Sequence, residues 1–337
     1  MRSTFSPAKL VVVSILLCRI SVFSQAPELR QESIRLKTDL VVLDAQVLDR
    51  KTGMLVGNLK SSDFVLFEDG VRQEITHFSI DKLPLSIILL LDVSPSVRPF
   101  IDQISAGALQ ALQRLKPEDE VAVMVFAGTP QLIQDFTRDR QLVVRQIQRI
   151  SEVSGIKRGT NILRAIDGAA KAMMNVKSAI GRRVIVTVTD NESYVRRGAS
   201  GTTTKETLDN LFESGSVVCG LIVRGAIAKV QSVIRWSPTN LALFRSYKVD
   251  TFAEQTGGEV MASSKPEVDK KLGDLFEHLR ARYSIGFNST NTNYDGKFRK
   301  ISLRLSPELQ KQNRELVVRT KQGYYAKPTT RVSGDTK

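Results

Sequence analysis

Short, solidly apolar runs alternate with one-sided amphipathic stretches from about residue 84 to residue 262. Residues 85–91 (LSIILLL), 121–127 (VAVMVFA), 184–188 (VIVTV) and 217–223 (VVCGLIV) are dominated by Val, Ile and Leu. Runs that are apolar on both faces mark strands of a parallel sheet covered on two sides. Between them, Ile101, Ile104, Ala108, Leu112 and Leu115 recur at steps of three and four, as do Ile162, Ile166, Ala169 and Met173. Each set predicts a helix with one buried face. Asp139 is placed to cap another, with Val143, Ile147 and Ile150 on one side. The alternation predicts an α/β fold with a doubly wound, mostly parallel sheet.

The flanks follow a different period. Asp69-Gly70 separates residues 64–68 from 71–80, a strong hairpin signal. Beyond residue 282, Tyr283, Ile285 and Phe287 alternate with polar or small residues, and so do Ile301, Leu303 and Leu305, with 316–320 following as a further strand. Period-two alternation predicts strands with one solvated face. Neither flank has enough strands to bury a core alone. The expectation is one antiparallel β-sandwich built from both flanks, with the α/β domain inserted between them. The alternative is two separate β extensions docked on that domain.

The first residues read as an address. Arg2 and Lys9 precede an apolar core at 10–17, and Ser24-Gln25-Ala26 offers the small residues that a signal peptidase reads. That core is too short to span a bilayer, which takes about 20 residues. Leu16-Leu17-Cys18 faintly resembles a lipoprotein signal. The predicted organisation is a signal peptide at 1–26, β segments at 27–83 and 283–326 around an α/β domain at 84–282, and a disordered tail at 327–337. The protein is expected to be exported, to a periplasm, cell surface or exterior, with no transmembrane span after cleavage.

Composition narrows the chemistry. The 337 residues are 42% hydrophobic and 25% charged, an ordinary globular balance, and the length suggests two domains. The formal charge is +14; losing the leader removes three of 49 basic residues and none of 35 acidic ones. This charge is dispersed and accompanies no nucleic-acid recognition motif, so no nucleic-acid partner is expected. Two cysteines, Cys18 and Cys219, exclude a disulfide framework or a Cys₄ zinc site, and Cys219 sits in an apolar run as a buried thiol. The two histidines, His77 and His278, lie far apart, which excludes HExxH and leaves little room for a Ser-His-Asp arrangement.

What remains is oxygen chemistry. Asp92, Ser94 and Ser96 follow the first apolar strand at alternate positions. Thr160 stands just before a predicted helix, and Asp190 closes the next strongly apolar strand. Open α/β sheets bind ligands at the carboxyl ends of their strands, so these five side chains are the candidate metal ligands. Hydroxyl and carboxylate oxygens suit a hard cation such as Mg²⁺, which takes about six oxygens and keeps several waters.

Asp92-x-Ser94-x-Ser96, then Gly159-Thr160 before a helix, then a strand ending Thr189-Asp190, resembles the metal-ion-dependent adhesion site of von Willebrand factor type A domains. Residues 65–70, 295–301 and 323–325 extend the likeness to secreted bacterial relatives of that family. The resemblance implies that Ser94, Ser96 and Thr160 supply hydroxyls to Mg²⁺ (or Mn²⁺ or Ca²⁺). It also implies that Asp92 and Asp190 act directly or through water, and that an acidic side chain of a partner protein fills the open position. Pro95 departs from the pattern by stiffening the loop, and Arg158 stands where a small residue is usual.

The expected function is therefore non-catalytic, cation-dependent protein binding or adhesion. A Mg²⁺-dependent hydrolase using Asp92 or Ser94 is one rival, though no Lys or His is coupled to Ser94 as a base. A scaffold with an unused site is another. His77 is placed in a strand of the flank, His278 in a charged helix, Trp236 in a loop, and Arg196-Arg197-Gly198 with Thr202–Thr204 in a mobile polar loop near the metal-bearing edge.

Overall fold

The computed structural model describes residues 40–80, 83–152, 159–176, 181–224 and 243–326. The expected leader and tail lie outside the described residues, as do Cys18, Arg158 and Trp236.

From the N-terminal side, β1 (Leu40–Asp49) is followed by β2 (Phe64–Glu68), β3 (Val71–Gln73) and β4 (Ile75–Ser79). Asp69 and Gly70 hold φ of 46° and 84°, the left-handed pair that matches a two-residue turn to the twist of its strands. The hairpin is real but short. Residues 71–80 do not form one strand as expected: β3 pairs with β2, whereas β4 pairs with β13 (Tyr283–Asn288) in the opposite sheet. Gln73 anchors the crossing, its amide exchanging hydrogen bonds of 2.9 and 3.0 Å with Thr290.

The α/β domain begins with β5 (Leu85–Asp92), every residue of which is buried. It continues through α1 (Ile101–Gln113), β6 (Glu120–Phe126), β7 (Pro130–Thr137), α2 (Arg140–Gln148), α3 (Ile162–Met174), β8 (Arg182–Thr189), β9 (Tyr194–Arg196) and α4 (Thr204–Ser214). Then come β10 (Ser216–Arg224), β11 (Phe244–Ser246), α5 (Val249–Thr256), β12 (Val260–Ser264) and α6 (Val268–Arg280). The six-stranded sheet has the order β12-β10-β8-β5-β6-β7, parallel throughout except for β7. Odd-numbered residues of β5 pack with α1, α2 and α6, and Ile88 and Leu90 pack with α3, α4 and α5. Each Leu or Ile buried this way contributes about 1.5–3 kcal/mol. A one-residue slip would exchange the two faces, so the register of β5, and with it the place of Asp92 at its end, is fixed. Asp139 caps α2 as the spacing predicts, accepting from Leu142 N at 2.9 Å. Cys219 is fully buried, and burial pushes its thiol pKa up.

The chain closes with β13, β14 (Phe298–Leu305), α7 (Pro307–Gln312), β15 (Leu316–Thr320) and β16 (Gly323–Tyr325). Two four-stranded sheets result, β15-β1-β13-β4 and β16-β14-β2-β3, each mixing strands from both flanks. Their shared core joins Leu43, Ala45, Phe64 and Leu66 from one flank to Tyr283, Ile285, Ile301 and Leu303 from the other. Phe64, Phe78 and Tyr283 cluster with ring centroids 5.4–5.8 Å apart, Phe78 stacked on Tyr283 and Phe64 edge-on to it, and the Tyr283 hydroxyl donates to Val56 O at 2.7 Å. The flanks thus form a single antiparallel sandwich around the inserted α/β domain.

Candidate metal centre

β5 pairs with β6 on one side and β8 on the other. The chain leaves β5 toward β6 and later returns to β8, so the strand order reverses between β5 and β8. A crevice opens at the carboxyl ends of strands at such a reversal. Asp92 ends β5 and Asp190 directly follows β8, which puts the two carboxylates on either side of it. Thr160 reaches the same rim from elsewhere: Asn161 N donates to Ala127 O, just past β6, at 2.8 Å, and Thr160 O accepts from Ser193 Oγ at 3.0 Å.

Asp92 is 1% exposed and spends both carboxylate oxygens within the protein. Oδ1 accepts from Ser94 N at 2.8 Å and Oδ2 from Thr189 Oγ1 at 2.6 Å. The first bond turns the chain back on itself. The turn continues as Val97 N and Arg98 N converge on Ser94 O, leaving the Ser94 and Ser96 hydroxyls 3.1 Å apart. Pro95 sits exposed at its tip, where no donor is required. Asp190 is half-buried; its Oδ1 accepts from Glu192 N at 3.0 Å, and the Ser96 hydroxyl bonds to its carboxylate. No described hydrogen bond engages the Thr160 hydroxyl.

The electrostatics follow from burial. Desolvation pushes the Asp92 carboxyl up to about 7 and the charge of Asp190 adds to the rise, against the bonds from Thr189 and Ser94. Burial also raises Asp190, helped by the charge of Glu192 and opposed by the bonds from Ser96 and Glu192 N. Among the described residues, no Lys, Arg or His forms an ion pair with Asp92 or Asp190. Two crowded carboxylates and neighbouring hydroxyls are an all-oxygen donor set that suits a hard divalent cation. No group of three or more His, Cys, Asp or Glu side chains is arranged to hold a metal among the described residues. A cation here must therefore draw on hydroxyls and water.

Three side chains outside the five candidate ligands lock this rim. Thr189, fully buried, donates to Asp92 and accepts from Asn191 N at 3.1 Å. Ser193 ties Thr160 O to Ile162 N. Asn191, at φ 64°, bonds through its side chain to Val249 N at 2.9 Å and Asp250 Oδ2 at 2.7 Å, fastening the rim to α5. A small polar residue directly after a buried strand was the available signal, but their partners lie 31–97 residues away. The stretch 194–204 is more ordered than the mobile loop expected of it. β9 pairs with β11, and Thr203 with Glu206 forms a capping box on α4.

Residues 87–192 match the profile of the von Willebrand factor type A domain. That span contains all five candidate ligands, Asp92, Ser94, Ser96, Thr160 and Asp190. No curated protein matches the sequence. Similar solved structures include the conserved hypothetical protein BatB of Bacteroides thetaiotaomicron, at 18% identity, with 58% of this chain and 97% of that one covered and a TM-score of 0.43. The vWF domain of the type V pili tip protein Mfa5 of Porphyromonas gingivalis is 9% identical, with 59% and 96% covered and a TM-score of 0.40. A von Willebrand factor type A protein of Catenulispora acidiphila is 10% identical, with 80% and 70% covered and a TM-score of 0.42. Within residues 87–192 of this chain, Asp92 and Ser94 are buried, Thr160 and Asp190 are half-buried, and Ser96 is exposed. An ion held there would be approached from the solvent side.

Proposed function

We propose that this is an exported, non-catalytic binding protein whose type A domain holds a divalent cation, Mg²⁺ first and Mn²⁺ or Ca²⁺ as alternatives. The cation accepts a carboxylate from a partner protein. The observation that carries the reading is the pairing of Asp92 and Asp190 across the strand reversal, beside Ser94 and Ser96, with no cationic side chain of the described protein neutralising them. Ser94, Ser96 and Thr160 would offer hydroxyl oxygens. Asp92, both oxygens already engaged, would act chiefly through the loop it holds and through water, and Asp190 directly or through water. The ion supplies Lewis acidity toward an incoming carboxylate; the chain's own residues set its position and keep one side open.

The hydrolase reading has less support. Ser94 is 2% exposed and its hydroxyl faces Ser96, not a base. His77 lies on β4 of the sandwich, and His278 is engaged with Glu259 at 2.8 Å. Export rests on the leader pattern; no described helix is long and apolar enough to cross a membrane. Calorimetry with Mg²⁺ and Mn²⁺ tests the central point: one saturable site that vanishes in Asp190→Ala is the expected result. Absence of metal binding in the wild-type protein overturns it, and turnover of a phosphate or ester substrate that depends on Ser94 would favour the enzyme.

A further inference from the structure

The two-stranded ribbon of β9 and β11 grows directly out of the candidate rim. Glu192, whose charge bears on Asp190, accepts from the Tyr194 hydroxyl at 2.7 Å, and β9 starts at that tyrosine. The ribbon joins the rim through Tyr247 N, which donates to Ser193 O at 3.3 Å, and through Val249 N just beyond it, which donates to Asn191 Oδ1 at 2.9 Å; Arg197 N closes the ribbon itself by donating to Leu243 O at 2.9 Å. Antiparallel register sets Arg196 opposite Phe244 and Tyr194 opposite Ser246. Residues opposite each other share a face, and successive residues alternate. Val195 is buried, so the face bearing Tyr194, Arg196 and Phe244 points outward; Arg197 and Arg245 belong by register to the Val195 face and are exposed at its margin. That face leads from Glu192 at the rim to Arg196, a run of at most about 14 Å of extended chain.

Leu243 and Phe244 are 52% and 39% exposed. Arg196, Arg197, Arg245 and Lys248 are exposed as well, and none forms an ion pair among the described residues. Residues 194–198 and 243–248 together hold these four cations and no carboxylate. Apolar side chains set among unpaired cations beside a carboxylate-accepting metal have one consistent complement. We propose that the β9–β11 ribbon is the specificity surface of the metal site, and that it takes an acidic polypeptide segment carrying an aromatic or large aliphatic residue next to the carboxylate given to the metal. This rests on the metal-dependent reading above and adds the chemistry of the partner to it.

The test uses the full chain with a fluorescein-labelled Glu-Asp-Phe-Glu-Glu peptide as probe, a lysine-substituted counterpart, and calorimetry with Mg²⁺ alone. The acidic peptide is expected to bind in Mg²⁺ and to release in EDTA or rising salt, and the lysine peptide not to bind. Combined Arg196→Glu, Arg197→Glu and Arg245→Glu weakens the peptide about tenfold or more, and the three Arg→Lys changes restore it. Phe244→Ser weakens it about threefold or more. Mg²⁺ affinity stays within about twofold in all of them, since the sites are separate. If the peptide binds in Mg²⁺ but the charge-reversed protein matches wild type, the ribbon assignment fails and the metal reading stands. If Mg²⁺ gives no heat yet ribbon-dependent peptide binding persists in EDTA, the metal reading fails and the ribbon's preference stands. Ribbon-dependent capture of anionic vesicles or an oligonucleotide, without peptide binding, overturns the proposal.

Discussion

The two rims of the central sheet handle buried carboxylates in opposite ways. At the amino-terminal rim, next to the sandwich, the buried Asp119 and Glu259 and the half-buried Asp44 each have a cation. Asp119, fully buried, accepts from Leu85 N at 2.8 Å and Lys116 N at 2.6 Å and pairs with Arg280. Asp44 pairs with Arg182 at 2.8 Å, and Glu259 with His278 at 2.8 Å and Arg319 at 3.2 Å. At the carboxyl-terminal rim, Asp92 and Asp190 have hydroxyls, backbone amides and each other. A buried charge is tolerated only when it is compensated. The first rim carries its own compensation and is a joint. The second holds no cationic side chain against its carboxylates among the described residues, and that difference is the ground for proposing a cation site there.

That contrast can be broken by removing one acid from each rim. Asp119→Ala leaves Arg280 without its buried partner and strips two amides of their acceptor, and is expected to lower unfolding free energy by about 3–5 kcal/mol in urea melts. Asp92→Asn has the opposite sign. In the metal-free protein burial pushes the folded carboxyl up to about 7 from its ordinary value of 3.8. The folded state therefore holds the proton more tightly, and stability falls as pH rises from about 4 toward 7. Each unit is worth about 1.36 kcal/mol. Metal-free Asp92→Asn is thus expected to be more stable than wild type at neutral pH, by on the order of 4 kcal/mol, with no advantage below about pH 4. A wild-type melting temperature independent of pH across that window would contradict this.

Smaller effects sharpen the comparison. Mg²⁺ at about 100 times its dissociation constant should add roughly 2.7 kcal/mol, visible as a thermal shift that vanishes in Asp190→Ala. At the joint, burial opposes ionisation of Glu259, but the bonds from His278 and Arg319 hold its pKa below 4.5. Its stabilisation is therefore complete above about pH 4.5 and is lost as pH falls through the lower folded value. Glu259→Gln should cost about 2 kcal/mol at pH 7 and flatten the acid limb of the stability curve. Mg²⁺ affinity should not change.

Much of this could be read from the chain. β5, β6, β8 and β10 are buried on both faces, so their composition announces them; α1 and α3 repeat at helical spacing, and the five rim oxygens follow from where those elements end. The edge strands were not legible. β7 is half-exposed and begins at Pro130, and β12 is short, so neither shows a solid apolar run. The break at Glu74 between two sheets leaves the alternation of 71–80 almost unaltered, because a strand changing sheets needs no change in residue type. The roles of Thr189, Asn191 and Ser193 depend on partners that only the folded chain brings near. The β9–β11 ribbon joins two three-residue strands about 50 positions apart, too short and too distant for any local pattern.

The sandwich takes half of each sheet from either end of the described chain, with the whole α/β domain between. As synthesis proceeds, β1 to β4 emerge first and, apart from the β2–β3 hairpin, have no partners until β13 to β16 follow some two hundred residues later. Pairings so remote in sequence form slowly, and unpaired strand edges are prone to stick to their neighbours meanwhile. The inserted domain can complete its own sheet during that wait and bring the separated strands together, acting as the template on which its mount is assembled.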